Sequence, residues 1–139
     1  MENYIHKVQY YETDKMGVTH HSNYIKWMEE ARVDFLEKIG YPYNKLEENG
    51  VISPVISVEC NYIEPTTFND EVEIKVGVEE YRGVRLVISY IMKNAKTQKV
   101  VLEGKTKHCF VNGEGKPIII KKSYKELDET LKELLVKEE

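Results

Sequence analysis

The chain has 139 residues, 41% of them hydrophobic and 32% charged, with a formal net charge of −4. Such a composition reads as one water-soluble globular domain, residues 1–139, large enough to bury a core. It excludes a basic duplex-binding footprint, so no nucleic acid partner is expected. It also lacks any run near the roughly 18 apolar residues that cross a bilayer, so no integral membrane contact is expected either.

In chain order, Val8 to Glu12 reads as a short strand. From Asn23 to about Ile39, Tyr24, Trp27, Met28, Ala31, Phe35 and Ile39 recur at three- and four-residue spacings among charged residues. That pattern predicts one amphipathic helix, capped by Ser22 or Asn23 and stopped by Gly40 and Pro42. A shorter helical turn, Asn44 to Glu48, ends at Asn49-Gly50.

The period then changes to two. Ile56, Val58, Cys60 and Tyr62 alternate as a half-buried strand would, and Val72, Ile74, Val76 and Val78 alternate more clearly still. Arg82-Gly83 predicts a hairpin turn into Val84 to Lys93, and Asn94 to Gln98 a second turn into Lys99 to Val111. Asn112 to Pro117 closes the series. From Ser123 the chain reads as helix, with Ser123 and Glu126 at capping-box spacing and Leu127, Leu131, Leu134 and Leu135 at helical intervals.

The two cysteines, Cys60 and Cys109, are far apart inside apolar segments and read as small buried hydrophobes, not as a disulfide or zinc site. The N-terminus, Met1 to Lys7, has neither the basic start nor the apolar stretch of a secretory signal, so the cytoplasm is the expected compartment.

Strands that follow one another through short turns pair antiparallel, and the bulky helix face needs a large apolar surface to cover it. The expected class is α+β: a curved antiparallel sheet of about five strands wrapped around one long central helix, plus a C-terminal helix at about 123–136. An open edge strand would be protected by a second copy of the chain.

The segment from Thr13 to Tyr24 concentrates the chemistry-bearing residues. Thr13-Asp14, Gly17-Val18, His21 and Asn23-Tyr24 lead into Glu29-Glu30-Ala31-Arg32, with Val58 to Tyr62, Pro65 and Arg82-Gly83 downstream. Together they resemble the hotdog-fold acyl-CoA thioesterases of the 4-hydroxybenzoyl-CoA thioesterase-like family, over about residues 5–120. The resemblance implies a hotdog fold, hydrolysis of a small-molecule acyl-CoA to free acid and CoA, and sites formed between subunits of a homodimer or homotetramer. It implies no cofactor, CoA being part of the substrate. The runners-up are a non-catalytic module binding acyl-CoA or acyl carrier protein, and a hotdog dehydratase.

Thioester hydrolysis needs oxygen delivered to the carbonyl carbon and charge held on the carbonyl oxygen. Asp14 is the candidate for the first task, as nucleophile or as general base; its bland alternative is a turn or helix-terminus carboxylate. His21 is the second catalytic candidate, positioning Asp14, water or thioester, against a helix-capping role. His20 is expected to point to a different side and face solvent. Adjacent histidines rarely close on one ion, so no metal is expected.

Gly17 would allow an unusual backbone or a close approach. Val18, Asn23 and Tyr24 would line the pocket beside the free N–H groups of the first helical turn, Tyr24 mainly as core. Arg82 and Arg85 are candidates for the phosphates of CoA. Short, long and aromatic acyl groups all fit this reading.

Overall fold

The computed structural model describes residues 1–138. Strand β1 is Tyr4–Lys7, followed by a 3-10 turn at Tyr10–Glu12 and helix α1 at Ser22–Lys38. Helix α2 is Tyr43–Glu48, and strands β2 to β5 are Val55–Tyr62, Glu71–Tyr81, Arg85–Asn94 and Val100–Cys109. A short helical turn, α3 at Ile120–Ser123, precedes the terminal helix α4 at Lys125–Glu138. The five strands form one sheet in the order β1-β3-β4-β5-β2.

Two strands depart from expectation. Val8 to Glu12 is not a strand: β1 lies earlier and pairs antiparallel with β3, Tyr4 against Ile74 and Lys7 against Glu71. The chain leaves that ladder because the Glu12 carboxylate accepts the Gln9 N–H at 2.8 Å, which diverts a donor from strand pairing. Strand β2 exists, but its alternation is not half-buried. Only Ser57 and Cys60 are partly covered, whereas Val55, Ile56, Val58 and Tyr62 are exposed. The reason is position, because β2 ends the sheet beside β5 instead of joining β3, its neighbour in sequence.

The hairpins close where the turn residues predict. Arg82 N–H donates to the Arg85 carbonyl at 2.9 Å, and Asn94 N–H to the Lys99 carbonyl at 3.0 Å. Strand β3 buries Val72, Ile74 and Val78, each such side chain stabilising the fold by about 1.5–3 kcal/mol.

The described residues gather into two compact units. The first comprises Met1–Phe35, Cys60–Val76 and Tyr90–Gly104. Its core is the predicted face of α1, namely Tyr24, Trp27, Met28, Ala31 and Phe35, together with Val72, Ile74, Met92 and Leu102. The second comprises Leu36–Glu59, Gly77–Ser89 and the chain from Lys105 onward. Its core includes Leu46, Val51, Val78, Ile88, Phe110 and Ile120, with Leu127 and Leu131 of α4. Within it, Asp128 of α4 is buried, accepts the Tyr81 hydroxyl and pairs with Lys132 at 3.0 Å.

Helix α1 starts without a Ser22 or Asn23 oxygen as its cap. Instead the Ser22 N–H donates to the ring nitrogen Nδ1 of His20 at 3.2 Å. Among the described residues, no helix is long and apolar enough to cross a membrane. Cys60 and Cys109 are free and half-buried.

Candidate active site

Residues 13–19 fold into a small loop braced at both ends. Thr13 bridges Thr19, and Val18 bridges Thr67, both antiparallel. Inside the loop, Asp14 N–H donates to Val18 O at 2.9 Å and Gly17 N–H to Asp14 O at 3.0 Å. Gly17 sits at φ +79°, with open space where a Cβ would stand. Its role is therefore the left-handed backbone, not a close approach. Thr67 Oγ1 donates to the Gly17 carbonyl at 2.8 Å, and Thr19 N–H to the Thr66 carbonyl at 2.9 Å.

This bracing presents the Asp14 carboxylate asymmetrically. Oδ1 accepts the Met16 N–H at 2.8 Å. Among the described residues Oδ2 has no hydrogen-bond partner, and the side chain is half-buried, so water reaches it. The carboxylate lines a cavity of about 850 Å³ with Thr13, Lys15, His20, Ser22, Asn23 and Lys26. Two exposed tyrosines, Tyr10 and Tyr11, complete its wall. The two lysines bring positive charge to the cavity that the Asp14 carboxylate lines.

A buried acid anchors the loop from behind. Glu12 accepts the Trp27 indole N–H at 2.7 Å on one oxygen and faces His6 Nε2 at 2.8 Å on the other. The His6 ring stacks on Trp27 at 4.4 Å, and its Nδ1 lies 3.2 Å from Glu30. The Glu12 carbonyl also accepts the His20 N–H at 2.8 Å and Asn23 Nδ2 at 3.0 Å. Burial pushes the Glu12 carboxyl up, but the hydrogen bonds from Gln9, His6 and Trp27 outweigh it and hold the group below the ordinary Glu value. Among the described residues, no cluster of three His, Cys, Asp or Glu side chains is arranged to hold a metal ion.

A second cavity, of about 280 Å³, opens beside the first turn of α1, lined by Thr19, His21, Tyr24, Tyr62, Ile63, Glu64 and Pro65. Its aromatic rings are ordered: Tyr62 meets Tyr24 edge-on at 5.5 Å and His21 at 6.2 Å. The Tyr24 hydroxyl is 2.9 Å from Thr66 Oγ1, which is 2.6 Å from Thr19 Oγ1. That chain ties the loop to residues 66–67.

The sequence profile of the thioesterase-like superfamily matches residues 8–134, nearly the whole chain and all of this site. The chain belongs to the thioesterase-like superfamily. An Aquifex aeolicus relative is 38% identical over 124 residues, 89% of this chain and 94% of that one. The acyl-CoA thioesterase YbgC of Helicobacter pylori is 34% identical over 131 residues, covering 87% of this chain and 95% of its own. Among solved structures, the DHNA-CoA thioesterase of Staphylococcus aureus superposes with a TM-score of 0.91 at 32% identity, covering 97% of this chain and 91% of that one. The fold is thus the hotdog fold that the opening motif implied, and the chemistry is thioester hydrolysis.

In this thioesterase the residues singled out from sequence do not converge on one point. Asp14 and Asn23 share the larger cavity, while His21 and Tyr24 line the smaller one. His20 is exposed to solvent, as expected, but it is not turned away from the cavity of Asp14. Its ring stacks on His21 at 4.4 Å, and it is His20 that shares the cavity with Asp14. Asn23 is buried with both Nδ2 hydrogens committed, to the carbonyls of Glu12 at 3.0 Å and His20 at 3.2 Å, so only its oxygen remains for a ligand. Val18 is half-buried in its bridge to Thr67 and lines neither cavity.

Arg82 and Arg85 belong to the second unit, where they line a separate cavity of about 180 Å³ with Glu80, Lys107 and the buried His108. Arg82 is already paired with Glu80 at 2.6 Å. Sequence reading missed Glu12, which no local pattern marks as buried. Lys26 carried a usable signal, because with Ser22 it has the i, i+4 spacing of one helix face.

Proposed function

We propose that this thioesterase hydrolyses a small-molecule acyl-CoA to the free acid and CoA, with Asp14 as nucleophile or general base. The observation that carries the reading is the Asp14 Oδ2, without a hydrogen-bond partner among the described residues, on an open cavity and in a loop braced by the Thr13–Thr19 and Val18–Thr67 bridges. The activities named for its Helicobacter pylori and Staphylococcus aureus relatives, both on CoA thioesters, support the substrate class.

In one route Oδ2 bonds to the carbonyl carbon, the C–S bond breaks, CoA leaves as thiolate, and water cleaves the resulting anhydride. In the other, Oδ2 takes a proton from the water whose oxygen attacks. A thiolate leaves readily, so a single carboxylate suffices for either. His21 is the second catalytic candidate, positioning the water or the thioester from the smaller cavity, where Tyr24 and Tyr62 suit contact with the acyl portion. Gly17 and Val18 shape the loop, and Asn23 holds the helix entry beside it. Arg82 and Arg85, joined by Lys107, offer charge for the phosphates of CoA.

The exposed apolar side chains of edge strand β2 support pairing with a second copy, in a homodimer or a dimer of dimers. Two free cysteines are in keeping with a cytoplasmic setting.

The test is thiol release from short, long and aromatic acyl-CoAs by the wild type and Asp14→Asn. We expect hydrolysis by the wild type and a loss of about 100-fold or more in the variant. A fully active variant would remove Asp14 from the chemistry. Single-turnover hydrolysis in isotopically labelled water tests the nucleophilic route. Label in the Asp14 side chain requires an anhydride cleaved by water at the Asp14 carboxyl carbon, whereas attack at the acyl carbon places the label in the product acid in either route.

A further inference from the structure

His20 is held more firmly than an exposed histidine in a connection needs to be. Its N–H donates to the Glu12 carbonyl at 2.8 Å, and its own carbonyl accepts the Asn23 N–H at 3.0 Å and Asn23 Nδ2 at 3.2 Å. The ring is fixed as well. It stacks on His21 with planes 26° apart, and its Nδ1 lies 3.2 Å from the Ser22 N–H and 2.9 Å from Ser22 Oγ.

A backbone amide can only donate, so Nδ1 must be an acceptor, and the neutral ring carries its proton on Nε2. Among the described residues, Nε2 has no hydrogen-bond partner. A donor with a fixed tautomer therefore stands in the wall of the cavity that holds Asp14.

We propose that His20 is a catalytic residue of this thioesterase, its Nε2–H donating to the thioester carbonyl oxygen as negative charge builds there. The inference rests on the acyl-CoA reading above. When Asp14 or its activated water bonds to the carbonyl carbon, the carbonyl π pair moves onto oxygen, where the Nε2–H meets it. Collapse returns that pair, breaks the C–S bond and releases thiolate, which takes its proton from water. His20 ends each cycle with its proton in place. A neutral imidazole that gave this proton away would become an imidazolate, so the role is hydrogen bonding to the oxyanion, not acid catalysis.

Two variants separate this role from helix capping. An Asn side chain ends near the place of Nδ1, and a Gln side chain near that of Nε2. His20→Asn therefore keeps an acceptor for the Ser22 N–H but removes the donor from the cavity. His20→Gln restores a donor there and gives up the cap. We expect His20→Asn to melt close to the wild type while kcat falls about 100-fold and KM stays within a few fold. His20→Gln should be less stable yet faster than His20→Asn.

A capping residue gives the opposite order: His20→Asn with kcat within threefold of wild type, or His20→Gln the slower of the two, overturns the proposal. Should His20→Gln fail to fold, the kcat of His20→Asn against wild type still decides; should His20→Asn fail, His20→Ala, which also lacks the donor, takes its place under the same criteria. A wild type that releases thiol from no acyl-CoA sinks the acyl-CoA reading and this inference with it. An active wild type matched by His20→Asn sinks the inference alone.

Discussion

Trp27 donates its indole N–H to the carboxylate of Glu12 across 2.7 Å, fifteen positions away in the chain and inside the core. Through this contact the third residue of the 3-10 turn is locked to the second turn of helix α1, and Asp14 follows two residues later. Trp27→Phe keeps the ring but leaves the buried carboxylate one donor short. Hydrogen bonds to charged groups are worth about 1.5–3 kcal/mol, so a loss of that size is expected in denaturant unfolding. A midpoint unchanged from wild type would show that the contact contributes nothing.

The same carboxylate makes stability depend on pH. Glu12 has a folded value held below the ordinary one, so its contribution is complete above the unfolded value and is lost as pH falls through the folded one. The stability gap between the wild type and Glu12→Gln should be widest near neutrality and close in acid. A gap that stays constant from neutral to strongly acidic pH would mean that the charge of Glu12 is not what the fold uses.

Gly17 tests the loop independently of any catalytic side chain. With nothing near the position of a Cβ, a substitution there meets only the backbone penalty of φ +79°, about 1–2 kcal/mol for an L-residue. Gly17→Val should lower thiol release more than Gly17→Asn, because Asn tolerates the left-handed region. Equal activities in the two variants would argue that Asp14 does not depend on this turn.

Helix α4 carries its own titratable clasp. Burial first, and then the hydrogen bond to Asp128, push the Tyr81 hydroxyl well above the ordinary Tyr range. Burial raises Asp128 too, but hydrogen bonds from Tyr81 and Lys132, with the charges of Lys132 and Lys121, leave it below its ordinary value. Asp128 therefore stabilises the fold above the unfolded carboxyl value, and this support disappears as pH falls through the folded one. Tyr81 acts in the opposite sense, and its support is lost as pH rises through its folded value. Tyr81→Phe should cost about 1.5–3 kcal/mol at neutral pH, with a smaller deficit in acid. Thermal unfolding at several pH values would reveal a deficit that does not shrink, the result contrary to this account.

Edge strand β2 supplies a test of assembly. Val58 is exposed at its middle, so Val58→Lys adds charge where a second copy would pair. If β2 pairs with a second copy as proposed, light scattering should show a wild-type oligomer that gives way to monomer in the variant, with activity lost in step if the site is completed by the partner. An oligomer of unchanged mass would move the interface elsewhere.

Much of the architecture was legible because it is written in short-range periodicity. The buried face of α1 is the predicted one, from Tyr24 to Phe35, and Val72, Ile74 and Val78 keep their alternation in β3. The failures have a common cause. Val8 to Glu12 looked like a strand because its residues have strand character, yet a hydrogen bond from Gln9 to Glu12 redirects it. Ile56, Val58 and Tyr62 alternate as a half-buried strand does, but a place at the end of the sheet leaves them exposed, and no local pattern encodes that place.

By itself the sequence determined the kinds of element, the turns between β3, β4 and β5, and the family motif in which Asp14 stands. These depend on backbone preferences and on neighbours a few residues apart. Only the tertiary structure decided that β2 lies beside β5, that Glu12 is the buried anchor of His6 and Trp27, and that His20, not His21, shares the cavity of Asp14. Two adjacent histidines look alike in a sequence. Which ring shares the cavity of Asp14 is set by the carbonyl of Glu12 and the N–H of Ser22, contacts that exist only once the loop has closed onto the helix.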